Sequence, residues 1–301
     1  MREGRHRRLE LTRVASLGFT AFAALAFLGM LVLFTVESLP VWRQAGLGYL
    51  FGKRWFFRVH EFGILPMVYG TLAVSAVALL VAAPLGVGTA FFTVEVLPRR
   101  ARLAVKTAVE LLAGIPSVIY GLLGVLLLRD FVVRLLAHWD PLSGDTLMTG
   151  GLLLAVMILP TVMTLADDAL SGVSAAQRTA ARALGLTRAE TALRVAARQA
   201  FPGLASAVLL GLGRALGETI AVFLVIGRQD NQWPKRLLSM EPLASAGQTL
   251  TTKLGGSETF ISYGDPLHWG AVMGLALVLF AVVGVVSVAG ARLALREGGG
   301  A

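Results

Sequence analysis

Residues 203–227 read GLASAVLLGLGRALGETIAVFLVIG, an apolar run that carries Arg214 and Glu218 near its middle. About 20 such residues cross the ~30 Å hydrocarbon core of a bilayer. A charge near the bilayer centre costs about 2.5–3.5 kcal/mol on insertion scales, so it faces protein or water and marks function. On a continuous helix Arg214 and Glu218 lie one turn apart. The Arg guanidinium, planar and always charged, suits an oxyanion. The competing reading is an ion pair that only joins helices. Arg preceding Glu is the less favourable order for such a pair, so local helix stability explains the spacing poorly.

The rest of the chain agrees with a membrane location. Of its 301 residues 56% are hydrophobic and 15% charged, with mean hydropathy +0.74, whereas soluble domains carry about a quarter charged residues. The fold class expected is all-α, a polytopic helix bundle. Six spans are expected, at about 14–36, 66–94, 107–128, 147–170, 203–227 and 269–291. They form one transmembrane domain over 14–292, flanked by a basic tail (1–13) and a short carboxyl tail (293–301). The first apolar run is longer than a signal-peptide core and lacks a small-residue cleavage site after it, so it reads as a retained anchor.

The net charge of +9 is topological rather than a nucleic-acid footprint. With the amino terminus inside, 16 Lys/Arg fall on the cytoplasmic side and 10 in the longer outer loops, where nine acids offset them. The positive-inside rule then puts both termini in the cytoplasm. The absence of cysteine excludes disulfides and thiolate metal sites. The four His (His6, His60, His138, His268) lack ligand spacing, so no metal or cofactor is expected.

The outer loops are 37–65, with Trp42, Trp55, Phe56 and Phe57 suited to the headgroup level, and the turn-rich 228–268. On the cytoplasmic side, residues 174–201 carry explicit helix signals. Ser174–Gln177 and Thr187–Glu190 both have the spacing of capping boxes, and Gly185 between them suits a left-handed stop. Pro202 is expected to close the second helix. Such a pair, with five arginines, has to face the cytoplasm. Asp167 and Asp168, at a helix end whose dipole disfavours carboxylates, are expected to pair with Arg178 or Arg182.

Span three contains Gly114-Ile115-Pro116-Ser117, followed by Tyr120. Pro116 removes a helical hydrogen bond and bends or interrupts the span, and broken spans often line a pathway. Ser117 and Tyr120 therefore join Arg214 and Glu218 as pathway candidates, with Gly114 and Pro116 as the kink. In span five, Gly213 and Gly217 have the GxxxG spacing of a packing face. No nucleotide-binding G-x-x-x-x-G-K-[ST] occurs, so transport would draw on an ion gradient or a separate ATPase.

These residues resemble a known family. Ala180-Ala181-Arg-Ala-Leu-Gly185 resembles the EAA motif of ABC importer permeases, which forms coupling helices resting on the ATPase. Four stretches, beginning at Pro66, Glu110, Leu159 and Gly211 and including GIPSVIYG and GRALGET, resemble the PstC-type permease of phosphate importers. Thr179 replaces the EAA glutamate, and Ala197-Arg198 replaces the usual Leu-Pro.

The resemblance implies a type I ABC importer permease of MetI-like architecture in a bacterial inner membrane. It is not itself an enzyme. It implies a second, PstA-type permease, two copies of a PstB-type ATPase docked at Ala180, Ala181, Gly185, Thr187 and Glu190, and a PstS-type outer phosphate-binding protein. Inorganic phosphate would be the cargo: Arg214 binding its oxygens and Glu218 accepting from its P–OH would favour phosphate over sulfate, which lacks that donor. A permease for another oxyanion, a secondary carrier or channel, and a signalling scaffold remain as rivals at this point.

Overall fold

The computed structural model describes residues 2–298 apart from 235, 237 and 238, and side chains only within 13–294. Met1 and 299–301 lie outside the described residues, as do the side chains of the tail arginines Arg2 to Arg8 and of Arg296. The helices are α1 (Arg2–Ala45), α2 (Leu65–Glu95), α3 (Arg99–Ala113), α4 (Ser117–Leu135), α5 (Leu147–Gly172), α6 (Ala175–Ala183) and α7 (Arg188–Gln199). They continue as α8 (Phe201–Gly217), α9 (Ile220–Val225), α10 (Leu250–Leu254), α11 (Glu258–Ile261) and α12 (Pro266–Gly298). By length and composition α1, α2, α5 and α12 can each cross a membrane unaided. Two further spans arise if the bent pairs α3–α4 and α7–α8 each count as one.

α5 is the axis of the bundle, the most buried of the long helices. It packs along α2, where two glycines let the backbones close up. A Cβ at Gly151 would lie 2.5 Å from the Val77 Cβ, and one at Gly86 would lie 3.0 Å from a Val162 methyl. α8 lies against both α5 and α12. A Cβ on Gly211 would meet Val162 at 2.6 Å, and one on Gly213 would meet the Ser287 hydroxyl at 3.3 Å, but Gly217 has nothing within 4 Å. The expected Gly213/Gly217 face is therefore corrected: the close packing is made by Gly211 and Gly213, because the helix ends at Gly217. α1 packs chiefly on α12, through Phe27 and Phe280 with ring centroids 4.5 Å apart. Its remaining faces expose Phe19, Phe22 and Leu25, as a lipid- or partner-facing helix does. The helix runs unbroken from Arg2, so residues 2–13 extend α1 rather than forming a separate tail.

The third span differs from the expectation of 107–128. α3 and α4 meet at 89° across Gly114–Pro116. α3 is amphipathic, with Arg99, Arg100, Arg102 and Lys106 along it, and it lies nearly at right angles to the apolar α4. Pro116, extended at φ −57° and ψ 139°, is thus a corner and not a kink. The Tyr120 hydroxyl donates to the Leu112 carbonyl at 2.8 Å, which also accepts from the Ile115 amide at 3.2 Å, so the corner is tied from both sides. Pro202 is also reassigned. It sits in the first turn of α8, where proline is tolerated, and the 68° bend falls at Ala200.

At the end of the bundle carrying residues 46–64 and 227–265, the loops close over a buried charge cluster. Lys253 Nζ, 2% exposed, lies 2.6 Å from Asp230 and 3.0 Å from Glu258. The other Glu258 oxygen accepts from the Trp55 indole at 3.1 Å and lies 2.7 Å from His268 Nε2. Trp55 sits on strand β1 (Trp55–Phe56), paired antiparallel with β2 (Glu61–Phe62). Trp42 donates to Ser38 and packs edge-on to Tyr49. These two indoles are therefore internal props, whereas Phe56 and Phe57 are exposed.

Burial alone would raise the Glu258 carboxyl, but the Lys253 charge and the hydrogen bonds from Lys253, His268 and Trp55 outweigh it and hold it below the usual carboxylate range. A lowered folded-state value stabilises the fold above the unfolded value of 4.5 and is lost as pH falls through the folded value. Thermal melts of the detergent-purified protein should therefore drop below about pH 4.5, and Glu258→Gln should flatten that acid limb while lowering the plateau at pH 7. An unchanged acid limb would show that Glu258 carries none of this dependence.

Candidate functional site

Residues 203–227 do not fold as one helix. α8 ends at Gly217, Glu218 turns extended at φ −70° and ψ 126°, and α9 restarts at Ile220. Gly217 and Thr219 are both weak helix formers. The restart is braced by α4, where a Cβ at Gly121 would lie 2.7 Å from a Leu224 methyl and 3.0 Å from the Ala221 Cα. Arg214 and Glu218 are therefore not helical neighbours one turn apart, and they form no ion pair. A pairing role for them is removed by the backbone itself.

Each charge has its own setting. Arg214 lies in the last turn of α8, where the helix dipole favours a cation. Its Nη1 donates to Thr161 Oγ1 on α5 at 2.8 Å, and the side chain is exposed on this chain. Lipid would oppose an exposed guanidinium at this depth, so water or another protein covers it. Glu218 Oε1 accepts from the Ala221 amide at 3.3 Å. The carboxylate lines a small cleft with Thr71, Ser75, Thr249 and Thr251.

Of the expected pathway residues, Arg214 is held by Thr161, Tyr120 is tied to the Leu112 carbonyl, and Glu218 lines the cleft. Ser117 opens α4 beside the Gly114–Pro116 corner, and its side chain makes no hydrogen bond among the described residues. Sequence reasoning passed over Thr161, Thr71, Ser75, Thr249 and Thr251. The available signal was the pair Thr71 and Ser75, hydroxyls one turn apart on an otherwise apolar span.

At the opposite end, residues 174–199 form the connector. Ser174 accepts from the Gln177 amide at 3.4 Å, a one-sided cap without the reciprocal bond. Gly185 adopts φ +90°. Its amide bonds to the Arg182 carbonyl at 3.0 Å and the Leu186 amide to the Ala181 carbonyl at 3.3 Å, the double closure of a Schellman stop. Thr187 and Glu190 then complete a reciprocal capping box, which together with Arg194 holds the Glu190 carboxyl below its usual range. α7 continues through a π-helical turn at Thr191–Ala196. Ala180 is exposed and Ala181 buried, and Thr179 bonds back to the Ala175 carbonyl at 2.9 Å. Two leucines on this polar connector face outward, Leu184 at 83% and Leu193 at 68% exposure.

The partners expected for Asp167 and Asp168 are corrected. Asp167, 2% exposed, binds Arg102 at 2.7 Å and lies 3.8 Å from Lys106, while Asp168 binds Lys106 at 2.8 Å. Both cations come from α3, which the corner at Pro116 lays beside the end of α5. Arg178 instead pairs with Glu95 at the end of α2 and donates to the Leu170 carbonyl at 2.7 Å, tying the connector to two spans.

Comparison with known proteins places this geometry. Residues 82–296 match the family described as binding-protein-dependent transport system inner membrane component. A probable ABC transporter permease protein, YqgH of Bacillus subtilis, is 37% identical over 222 residues, covering 73% of this chain and 68% of that protein. The phosphate transport system permease protein PstC of Xylella fastidiosa (strain Temecula1) is 32% identical over 300 residues, covering 92% of this chain and 90% of that one. Among solved structures, an inward-facing form of the MetNI methionine ABC transporter matches with TM-score 0.53 and 17% identity, over 78% of this chain and 94% of that chain.

The corrected pairing gives a direct test. Arg102→Ala takes the closer cation from the buried Asp167, leaving Lys106 at 3.8 Å and the Thr93 hydroxyl at 2.9 Å, and loss of one partner of a buried pair costs up to about 3–5 kcal/mol. A large fall in melting temperature is expected, relieved in part by the double change Arg102→Ala, Asp167→Asn. Equal losses from Arg102→Ala and Arg182→Ala would contradict the pairing.

Proposed function

The chain belongs to the family of binding-protein-dependent transport system inner membrane components, the permeases of ABC transporters, and from that premise we propose that its cargo is inorganic phosphate. The observation that carries this reading is Arg214: a guanidinium exposed on this chain beside a broken span, unpaired with Glu218. Its remaining donors are available to a tetrahedral oxyanion, for which a forked, permanently charged group is suited. The names of the PstC relatives agree with phosphate. ATP hydrolysis belongs to a separate subunit, and the chain itself is a transporter component rather than an enzyme.

In the arrangement we propose, the excess of Lys/Arg at the connector end puts both termini and α6–α7 in the cytoplasm. The end with the Lys253 cluster then faces outward, towards a PstS-type phosphate-binding protein. Arg214 faces a second, PstA-type permease across the path, since protein or water rather than lipid has to cover it. The connector docks on one of two PstB-type ATPases. Leu184 and Leu193 supply apolar contact there, and the stop at Gly185 sets the angle between α6 and α7. Binding and hydrolysis of ATP by those subunits drive the alternation of access, and this chain supplies half of the path.

Membrane vesicles holding the assembled transporter provide the test. Arg214→Ala should abolish ATP-driven uptake of phosphate while all subunits remain assembled. Arg214→Lys should recover little, since a point charge does not replace the fork. Uptake by Arg214→Ala at the wild-type rate would refute the assignment.

Gly185→Val forces a β-branched residue to φ +90°, a strained conformation. It should uncouple ATP hydrolysis from uptake with the subunit still present in the membrane. A normally coupled Gly185→Val transporter would exclude the connector as the docking element.

A further inference from the structure

Glu218 lines a cleft with hydroxyls from two separate elements, Thr71 and Ser75 on α2, and Thr249 and Thr251 at the start of α10. Most of these hydroxyls are already committed. Thr71 donates to the Met67 carbonyl and accepts from the Leu250 amide. Thr249, Thr251 and Thr252 bond among themselves. Ser75 is the exception: it is 4% exposed, and its side chain has no hydrogen-bond partner among the described residues. The Ser75 hydroxyl is not among the sealed side-chain atoms that lack a partner, which are Asp230 Oδ1 and Gln248 Oε1 among the described residues, so it opens onto the cleft that it shares with a carboxylate whose Oε2 likewise has no partner among the described residues.

The start of α10 forms one wall of the cleft, through Thr249 and Thr251. The Gly255 position at its end would place a Cβ 2.6 Å from the Thr219 methyl, so the segment abuts the break in the span. Lys253 on the same helix anchors it through Asp230 and Glu258. The volume left is about 10 Å³, room for roughly one water molecule.

We propose that this cleft is a second station for the transported anion, on the α10 side of Arg214, that takes a protonated oxyanion once α10 withdraws. The proposal rests on the phosphate reading above. Ser75 donates to one anion oxygen, and Glu218 accepts from the anion's own hydroxyl. A carboxylate repels an anion that has no proton to offer, so the station admits hydrogen phosphate and resists sulfate. The chemistry is binding alone, with no bond made or broken.

The chain has no cysteine, so Ser75→Cys introduces a single reporter thiol of nearly the same size. In vesicles holding the assembled transporter, a small anionic methanethiosulfonate should modify that thiol, inorganic phosphate should slow the reaction, and modification should block uptake. Ser75→Ala should lower the uptake rate about 10- to 150-fold, the effect of losing one hydrogen bond to a charged group, with ATPase activity retained.

Wild-type uptake by Ser75→Ala would overturn the proposal and leave a buried-water site. So would an introduced thiol that fails to react, or that reacts equally fast with and without phosphate, in vesicles that transport. Wild-type vesicles that take up no phosphate would instead overturn the phosphate reading itself.

Discussion

A bilayer core offers no water to a free backbone amide or carbonyl, so a span can be interrupted only where protein or a water-filled cavity completes its hydrogen bonds. The interruption at Gly217–Thr219 depends on that constraint, and much of the site follows from it. Because the helix stops, Arg214 falls in a last turn whose dipole suits it, and Glu218 is freed to bond the Ala221 amide. Because α9 restarts against α4, Gly121 has to be small, and α10 has to abut the break from one end. Charges that would otherwise cancel on one helix face are held apart, each able to meet a ligand.

The same economy governs the two ends of the bundle. At the connector end, buried carboxylates are matched by cations from elements that the chain has turned back on itself. Asp167 meets Arg102 only because α3 leaves α4 at 89°, and Glu95 meets Arg178 only because the connector folds under α2. At the other end Lys253 bridges two carboxylates among aromatic rings. Breaking one member of such a pair costs more than the pair contributes to stability, so these clusters fix geometry. They hold the connector and α10, the segments on either side of the broken span, in register with it.

How much of this was legible in the sequence differs by element. Apolar length marked where the long helices lie, and Gly185 with the Thr187–Glu190 spacing marked the stop and restart of the connector, since both depend on local backbone chemistry. Local signals misjudged the corners. Pro116 read as a kink inside a span because apolar residues continue on both sides, whereas the amphipathic pattern of α3 already set it apart. Gly213 and Gly217 matched a packing motif, but a motif presumes a continuous helix, and that continuity fails at Glu218. The partners of Asp167, the burial of Trp55 and the unpartnered Ser75 are tertiary facts, carried by contacts between residues far apart in the chain.

We propose the broken span as the place where the anion is held. The structure of the assembled transporter trapped with arsenate, a heavy-atom stand-in for phosphate, tests this directly through the anomalous signal of arsenic. A peak is predicted beside the α8–α9 break, with an arsenate oxygen about 2.7–2.9 Å from the Arg214 guanidinium. An arsenate bound elsewhere in the membrane region, with Arg214 still bonded only to Thr161, would contradict it.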